Sequence, residues 1–347
     1  MTPDQRALRI GWTASISCLT LLVLLDMWLE SSIAILTGLF ALAPLVACAV
    51  LPTVATASVW ALSLAAAIAS GFWNDTLGSH QQTVRILGVV LVGGTAVAIA
   101  EVRVRRERRY AEMAQIAEAA QRAILPVLPH HAGGIDITAR YESAFEGALV
   151  GGDLYDCYFT SDVTRLLIGD VRGKGIGGVE QAARVIRAFR QAAARQPTLS
   201  DVAADMDEYL VPFFDDEEFV TALLVETAGP DRLDLVSAGH PPALLLRHGN
   251  GLEPVEVPHG LPLGTGLVTT FTETALLWEP GARLLLYTDG LSEARDQRGD
   301  FLDLAALEAP LAEPHALDGV LDAVRRHVRG GSLGDDLALV LLEHPVG

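Results

Sequence analysis

The sequence is poor in cysteine and in positive charge. Three cysteines in 347 residues do not make a disulfide framework, and this low count fits a reduced compartment. Lysine and arginine together number 25 against 43 acidic residues, which gives a formal net charge of −18. Because nucleic acids are bound through basic surfaces, this balance argues against a nucleic-acid ligand.

Charge of either sign is scarce in the first hundred residues. They contain three arginines, no lysine and four acidic residues, which leaves a net charge of −17 for the rest of the chain. Half of all residues are nevertheless hydrophobic. One globular domain would not combine so much apolar sequence with so much charge, so the sequence predicts two unlike parts.

Four apolar runs in the first part have the length of membrane-spanning helices. A helix needs about 20 mostly apolar residues to cross a bilayer core. The runs lie at about 10–28, 33–51, 54–73 and 84–100. The alternative is a cleaved signal peptide followed by a buried apolar domain, but such a peptide would explain only the first run. Residues 1–100 are therefore predicted to form an α-helical membrane region with four spans.

Arginines flank both ends of this region. Arg6 and Arg9 precede the first run, and five arginines follow the fourth run between positions 103 and 109. Because positively charged flanks remain on the cytoplasmic side, both ends are predicted to be cytoplasmic, as an even number of spans requires. We therefore expect a multi-pass protein of the cell membrane whose following domain lies in the cytoplasm.

Residues 101–125 have the composition of a connecting helix, with no glycine or proline before Pro126. Their apolar positions follow the three-four spacing of a coiled coil: Tyr110, Met113, Ala117, Ala120 and Ile124. Two interpretations remain open. The segment forms a short coiled coil that makes the chain a homodimer, or it is a single helix that lies on the following domain.

The remaining residues, 126–347, are predicted to form an α+β domain. Strand-like patterns occur at 135–141, 154–159, 164–168, 219–226, 232–237, 243–247, 270–277, 283–287 and 337–342. Helical patterns occur at 179–194, 200–211, 302–311 and 315–328, and Ser200 is the expected N-cap of the second. Helices inserted between groups of strands are typical of α+β folds and not of alternating β-α units.

Acidic residues stand beside four of these strands. They are Asp153, Asp170, Asp289 and the pair Asp335-Asp336. A single aspartate next to glycine at the end of a strand is usually part of a turn. Four such positions beside apolar runs are harder to explain as turns, and carboxylate oxygens are the ligands that Mg²⁺ and Mn²⁺ prefer. The sequence thus predicts a site for divalent cations.

Two motifs that resemble catalytic elements are interpreted as structural. The glycine-rich segment 173–178 lacks the spacing of a phosphate-binding P-loop, so it is interpreted as a hinge that lets Asp170 and the carbonyl of Val171 approach a cation. His240 has no serine or cysteine beside it in a nucleophile-elbow context, which favours a structural role over a role as general base.

The order of the motifs between Gln121 and Leu342 resembles one known family. These motifs are Gln121-Arg122-Ala123-Ile124-Leu125-Pro126, Ala139-Arg140-Tyr141, Val150-Gly151-Gly152-Asp153, Ile168-Gly169-Asp170-Val171-Arg172-Gly173-Lys174-Gly175, Phe219-Val220-Thr221-Ala222, Ser237-Ala238-Gly239-His240-Pro241-Pro242, Tyr287-Thr288-Asp289-Gly290 and Gly334-Asp335-Asp336-Leu337. Together they resemble the SpoIIE/RsbU-type branch of the metal-dependent protein serine/threonine phosphatases, the PPM or protein phosphatase 2C superfamily. Ser143-Ala144 and Ala338 depart from the usual Pro-Ala and Thr of that family, and neither departure removes an expected ligand.

The resemblance implies a central β-sandwich flanked by helices, with a catalytic site for two Mn²⁺ or Mg²⁺ ions. Asp153 would bridge the two ions, and Asp170 with the Val171 carbonyl would bind one of them. Asp289 and Asp335 would bind the other, and Asp336 is the less favoured residue at that last position. Two ions held in this way activate a bridging water for attack on phosphorus, so no covalent phosphoenzyme is required.

The resemblance also implies a substrate and a mode of regulation. The expected substrate is a regulatory protein phosphorylated on serine or threonine, such as a STAS-type anti-sigma-factor antagonist, and Arg140, Arg172 and Lys174 are candidates for binding its phosphate. The helices at about 179–211 would position the metal ligands. We hypothesise that motion of the spans reaches them through residues 101–125. The alternatives are a membrane receptor with a non-catalytic phosphatase-like fold and an enzyme for small phosphate esters; the complete set of acidic positions argues against the receptor.

Overall fold

The structure is a computed structural model that describes residues 3–28, 37–143, 151–161, 163–173, 175–215, 217–227, 229, 231–247, 251–267, 270–328 and 333–346. The chain divides into two compact units, Met1–Ala111 and Glu112–Gly347. Each unit has an apolar core of its own.

The first unit is helical in its described residues. Helix α1 covers Pro3–Trp28, a 3₁₀ turn at Thr37–Ala41 leads into α2 at Leu42–Val50, α3 covers Thr53–Trp73, and α4 covers His80–Ile124. Three helical stretches are long and apolar enough to cross a membrane: Arg6–Trp28, Thr53–Trp73 and His80–Met113. The apolar helix Gly38–Val50 is shorter. The predicted run at 33–51 begins within residues 29–36, which lie outside the described residues, so the count of four spans stays a prediction.

Buried polar contacts join the helices of the first unit. The buried carboxylate of Asp26 in α1 accepts hydrogen bonds from Trp73 Nε1 at 3.1 Å and from Asn74 Nδ2 at 2.9 Å. Arg103 in α4 donates to the carbonyl oxygens of Cys48 and Leu51, at 3.2 and 2.6 Å, where α2 ends. These contacts satisfy polar groups that would be costly to leave unpaired in an apolar environment.

Helix α4 continues without a break from residue 101 to its end at Ile124. In its last two turns Ala120 and Ile124 pack against Val179. Farther back, Tyr110 and Met113 are 67% and 52% exposed. The end of the helix is therefore packed inside the second unit, to which it belongs, whereas the first two positions of the coiled-coil pattern leave their side chains exposed.

The second unit contains two antiparallel sheets. The strands are β1 (His131–Ala132), β2 (Ile135–Glu142), β3 (Asp153–Phe159), β4 (Thr164–Val171), β5 (Val220–Thr227), β6 (Arg232–Ala238), β7 (Leu244–Arg247), β8 (Gly251–Pro254), β9 (Thr274–Leu277), β10 (Arg283–Tyr287) and β11 (Leu337–Glu343). One sheet has the order β1-β2-β11-β10-β7-β8 and the other has the order β3-β4-β5-β6-β9.

Helices cover the second unit between these strands. They are α5 (Ile176–Ala193), α6 (Leu199–Leu210), α7 (Asp289–Ser292), α8 (Glu308–Ala312) and α9 (Ala316–His327), with 3₁₀ turns at Val211–Phe213 and Leu304–Leu307. The expected helix at 302–311 is divided because Pro310, which has no N–H to donate, lies in the first turn of α8.

The central strands are apolar on both faces, and the two faces contact different layers. In β4, Ile168 belongs to a core that also contains Leu284 of the other sheet. Its neighbour Leu167 packs with residues of α5 and α6. In β10, Leu285 packs with residues of α8 and α9. The alternation follows the two-residue period of a strand, and it places helices on the outer face of each sheet.

Two sequence expectations are corrected by the structure. Thr198, not Ser200, is the N-cap of α6: its side chain accepts a hydrogen bond from the N–H of Asp201 at 3.1 Å. The Ser200 hydroxyl instead donates to the carbonyl oxygen of Phe271. Strand β8 was not predicted, because its sequence Gly-Leu-Glu-Pro lacks the β-branched and aromatic residues typical of strands.

Candidate metal centre

Three of the predicted aspartates converge at one place. Asp153, Asp170 and Asp289 each offer a carboxylate oxygen, and these oxygens lie within 4.8 Å of one another. Asp153 and Asp170 are register partners on β3 and β4. Asp289 is the first residue of α7, two positions after the end of β10 in the other sheet. The cluster is thus assembled from both sheets.

Asp153 is the most buried member of the cluster, at 3% exposure. Its Oδ2 accepts a hydrogen bond of 2.6 Å from the hydroxyl of Thr288, which itself accepts from the N–H of Ala338 at 2.9 Å. Burial raises the pKa of Asp153 well above its ordinary value, the charge of Asp170 raises it further, and the bond from Thr288 opposes this rise. The arrangement places carboxylates so close together that they repel one another, and a bound cation would offset this repulsion.

The segment before Asp153 requires glycine. A Cβ at residue 152 would overlap the carbonyl oxygen of Val171 and lie 2.8 Å from the Val171 nitrogen. The N–H of Val171 donates to the Gly152 carbonyl at 3.2 Å. This close approach brings Val171, whose carbonyl is an expected metal ligand, beside the chain that leads into Asp153.

The two adjacent aspartates before β11, Asp335 and Asp336, have different surroundings. Asp336 is 1% exposed and accepts hydrogen bonds from Gly151 N–H at 2.7 Å, from Ser143 Oγ at 3.3 Å and from the Tyr141 hydroxyl. Burial, followed by the charge of Asp336, raises the pKa of Tyr141, so its hydroxyl remains a donor. Asp336 therefore holds the segment that precedes Asp153.

Asp335 lies at the edge of the same region. It is partly exposed, and its Oδ1 accepts from the N–H of Asp336 at 3.0 Å. A Cβ at Gly151 would lie 3.4 Å from this oxygen. Asp335 is not a member of the group of three that lies within 4.8 Å. Its side chain is partly exposed, unlike that of Asp336.

The three candidates for binding phosphate have different surroundings. Arg172, two residues after Asp170, is exposed, and its guanidinium carbon lies 5.3 Å from the centre of the Phe219 ring. Among the described residues it has no carboxylate partner. Arg140 donates from Nε to Asp318 in α9 at 3.0 Å, so its charge is already paired. Lys174 lies outside the described residues.

The donor set fits a hard divalent cation. Three carboxylates converge. One of them, that of Asp153, is buried, and its Oδ2 accepts a hydrogen bond from Thr288. Mg²⁺ and Mn²⁺ prefer such oxygen ligands to nitrogen or sulfur. Sequence reasoning predicted the aspartates but not the roles of Thr288 and Tyr141. The signal was present, since Thr288 directly precedes Asp289, but the contact with Asp153 depends on the packing of both sheets.

Comparison with known families identifies a match over more than half of the chain. Residues 160–345 match the family model described as Stage II sporulation protein E (SpoIIE), as the motifs led us to expect. The phosphoserine phosphatase RsbP of Bacillus subtilis is 29% identical over 166 residues, which cover 46% of this chain and 40% of RsbP. Protein IcfG of Synechocystis is 25% identical over 225 residues, 55% of this chain and 35% of IcfG. The chain therefore spans less than half the length of these curated relatives.

Solved structures resemble a large part of the chain. The RsbU and RsbW domains of Rv1364c from Mycobacterium tuberculosis align with a TM-score of 0.53 and 25% identity, covering 64% of each chain. The SiaA-PP2C domain of Pseudomonas aeruginosa aligns with a TM-score of 0.55 and 16% identity, over 70% of this chain and 98% of that domain. The PP2C phosphatase domain of SpoIIE from Bacillus subtilis, with a fragment of its regulatory domain, aligns with a TM-score of 0.53 and 17% identity. The alignment covers 61% of this chain and 64% of that chain. These similarities confirm the expected PP2C-type phosphatase fold.

Proposed function

Because the chain belongs to the SpoIIE family, we propose that it is a membrane-anchored, metal-dependent phosphatase that hydrolyses phosphoserine or phosphothreonine on a regulatory protein. One observation carries this proposal: Asp153, Asp170 and Asp289 converge from two sheets within 4.8 Å of one another. A non-catalytic receptor that uses this fold only to bind a partner would have no need for that convergence.

The three converging carboxylates of Asp153, Asp170 and Asp289 would hold two Mn²⁺ or Mg²⁺ ions. Asp335 and the carbonyl of Val171 would complete the protein ligands. Such ions, when bound, lower the pKa of a coordinated water and neutralise charge on a phosphoryl group. Thr288 fixes the orientation of Asp153 by holding Oδ2, and the burial of Asp153 limits access of bulk water. Arg172, exposed two residues beyond Asp170, would bind the oxygens of the incoming phosphate.

The proposed substrate is a phosphorylated protein of the anti-sigma-factor antagonist class, with a STAS-type fold. The relative named phosphoserine phosphatase RsbP and the structural relative that contains an RsbU domain support this class. An enzyme for small phosphate esters would use the same metal chemistry, so the two substrate classes must be separated by experiment.

We also propose that the first unit anchors the chain through four spans, with the phosphatase in the cytoplasm. Three long apolar helices and the shorter helix Gly38–Val50 support this arrangement. The arginines on both sides of the region agree with an even number of crossings. The exposed Tyr110 and Met113 in α4 support pairing of two copies through residues 101–125.

The test measures phosphate release by the full chain in detergent micelles, with and without Mn²⁺. The substrates are an aryl phosphate and a phosphoserine-containing antagonist protein. We expect Mn²⁺-dependent turnover that Asp289→Asn abolishes and that Asp322→Asn, a change at an exposed carboxylate of α9, leaves intact. Faster turnover of the protein substrate supports the proposed substrate class. Folded wild-type protein that neither binds Mn²⁺ nor releases phosphate would leave the receptor as the better interpretation.

A further inference from the structure

His240 occupies the crossover between the two sheets. The chain leaves β6 of the five-stranded sheet at Ala238 and enters β7 of the six-stranded sheet at Leu244. Gly239 makes the turn with φ of 72° and forms a parallel bridge with Ala222 of β5. Directly after this turn the side chain of His240 is 2% exposed. It therefore lies inside the protein, where the chain passes from one sheet to the other.

Both ring nitrogens of His240 are engaged, and they contact different sheets. Nε2 lies 3.0 Å from the carbonyl oxygen of Tyr287 in β10, and Nδ1 lies 3.1 Å from the hydroxyl oxygen of Thr221 in β5. A carbonyl oxygen only accepts, so Nε2 carries the proton. Burial lowers the pKa of His240 to about 4, so the ring is neutral and Nδ1 accepts from Thr221. One rigid ring thus joins β5 to β10.

Each of the two partners stands beside a residue of the metal centre. Thr221 is the register partner of Asp170 on the neighbouring strand, and its hydroxyl oxygen lies 3.5 Å from the carbonyl oxygen of Asp170. Tyr287 ends β10 and is followed by Thr288, which orients Asp153, and by Asp289. The two contacts of the imidazole therefore reach the backbone on either side of the carboxylate cluster.

We propose that His240 is a positioning residue for the metal centre: it links β5 to β10 and sets the separation between Asp170 and Asp289. This inference rests on the proposed function, since it concerns the same metal centre. Carboxylates this close repel one another before a cation binds, so the two sheets need a rigid connection at this point to hold the ligands ready. Groups that orient metal ligands typically contribute about 10- to 100-fold to metal affinity.

The test compares His240→Gln, Thr221→Val and Thr221→Ser with wild type, all as full chains in detergent micelles. Binding of Mn²⁺ to the metal-free protein is measured by calorimetry, and the Mn²⁺ dependence of aryl phosphate hydrolysis is measured separately. His259→Gln, a change at an exposed histidine, is the control for the substitution itself.

We expect His240→Gln to weaken Mn²⁺ binding by about tenfold or more, with most of the lost rate recovered at saturating Mn²⁺. Thr221→Val removes the donor to Nδ1 together with the hydroxyl's 3.5 Å contact to the Asp170 carbonyl, but keeps the imidazole and its contact with Tyr287, so it should weaken binding less. Thr221→Ser keeps the hydroxyl and should bind Mn²⁺ as wild type does. A chain that carries both His240→Gln and Thr221→Val should bind Mn²⁺ no more weakly than His240→Gln alone, because the two residues act through one contact. His259→Gln should bind as wild type does.

Folded His240→Gln and Thr221→Val that bind Mn²⁺ as tightly as wild type would overturn the positioning role while leaving the phosphatase intact. Wild-type chain that binds no Mn²⁺ would overturn the proposed function and, with it, this inference. If His240→Gln does not fold, the comparison of Thr221→Val with Thr221→Ser decides, since equal Mn²⁺ affinity in these two variants contradicts the proposal.

Discussion

The side-chain Nε2 of Gln121 donates a hydrogen bond to the backbone carbonyl oxygen of Asp153, 3.1 Å away. Gln121 is 2% exposed and stands one turn before the end of α4. The same helix contains the apolar stretch His80–Met113, which is long enough to cross a membrane. Helix α4 therefore contains both a candidate span and a residue that contacts the backbone of Asp153, a member of the carboxylate cluster.

Replacing Gln121 tests whether this contact supports the site. Gln121→Leu keeps the apolar part of the side chain but leaves the Asp153 carbonyl without its donor, which costs about 1–3 kcal/mol for a buried group. We expect a lower melting temperature and a slower Mn²⁺-dependent hydrolysis of phosphoserine protein. Gln115→Leu, at an exposed position of α4, should change neither. Equal rates for both variants would show that the contact is dispensable.

The second prediction concerns the rotation of the first part of α4 about the helix axis relative to Gln121. An insertion of two alanines after Ala117 rotates the preceding helix by about 200° relative to Gln121, whereas seven inserted residues restore its phase to within about 20°. If the spans regulate the phosphatase through this helix, the two-residue insertion should change the rate of the full chain and the seven-residue insertion should not. The measurement is phosphate release in membranes. Identical rates in both insertions and wild type would contradict regulation through the helix.

The sequence predicted those features that depend on local pattern. Strands such as β4 and β10 were found because their apolar runs are short and end beside aspartates. The N-cap of α6 was missed because Thr198 and Ser200 are both good caps, and only the backbone conformation selects between them. The contacts of Thr288 with Asp153 and of Gln121 with the Asp153 carbonyl join residues far apart in the chain. The hydrophobic periodicity of the sequence does not predict such contacts, because they depend on how the sheets and helices pack.

The adjacent carboxylates Asp335 and Asp336 should respond differently to the same substitution. Asp336→Asn places an amide where Gly151 N–H, Ser143 and Tyr141 require an acceptor, so it should destabilise the metal-free protein by about 1–3 kcal/mol. Asp335→Asn should leave that stability nearly unchanged and weaken Mn²⁺ binding. Thermal unfolding of metal-free protein and calorimetric titration separate the two effects. The reverse pattern would assign the ligand role to Asp336.

Gly152 should not tolerate a side chain. In Gly152→Ala the new Cβ would meet backbone atoms of Val171, which cannot rotate away as a flexible side chain does. We expect displacement of Asp153, with loss of Mn²⁺-dependent activity and a lower melting temperature. Gly177→Ala is the matched control, because a Cβ there would meet nothing within 4 Å beyond its own helix, and alanine favours the helix α5 by up to about 1 kcal/mol. Full activity in Gly152→Ala would contradict this geometry.

The neutral, buried ring of His240 predicts how stability depends on pH. Burial lowers its pKa from 6.5 to about 4 in the folded protein. Between these values the unfolded chain takes up a proton that the folded protein does not, so stability is complete above about pH 6.5 and falls as the pH approaches 4. The contribution lost by pH 4 is about 3 kcal/mol.

Substitution isolates this contribution from that of the aspartates. His240→Gln lacks the titrating ring, so the stability difference between wild type and variant should shrink as the pH falls from 6.5 to 4. Thermal unfolding of the metal-free proteins measures this difference in stability. The relevant unfolding transition is identified beforehand as the one whose melting temperature rises when Mn²⁺ is added, because a ligand of the folded phosphatase stabilises that unit. Parallel curves for wild type and variant across this range would mean that the ring of His240 takes up its proton equally in both states. A gap that closes would show instead that folding keeps the ring neutral, as its bond to the Tyr287 carbonyl and its acceptor role toward Thr221 require.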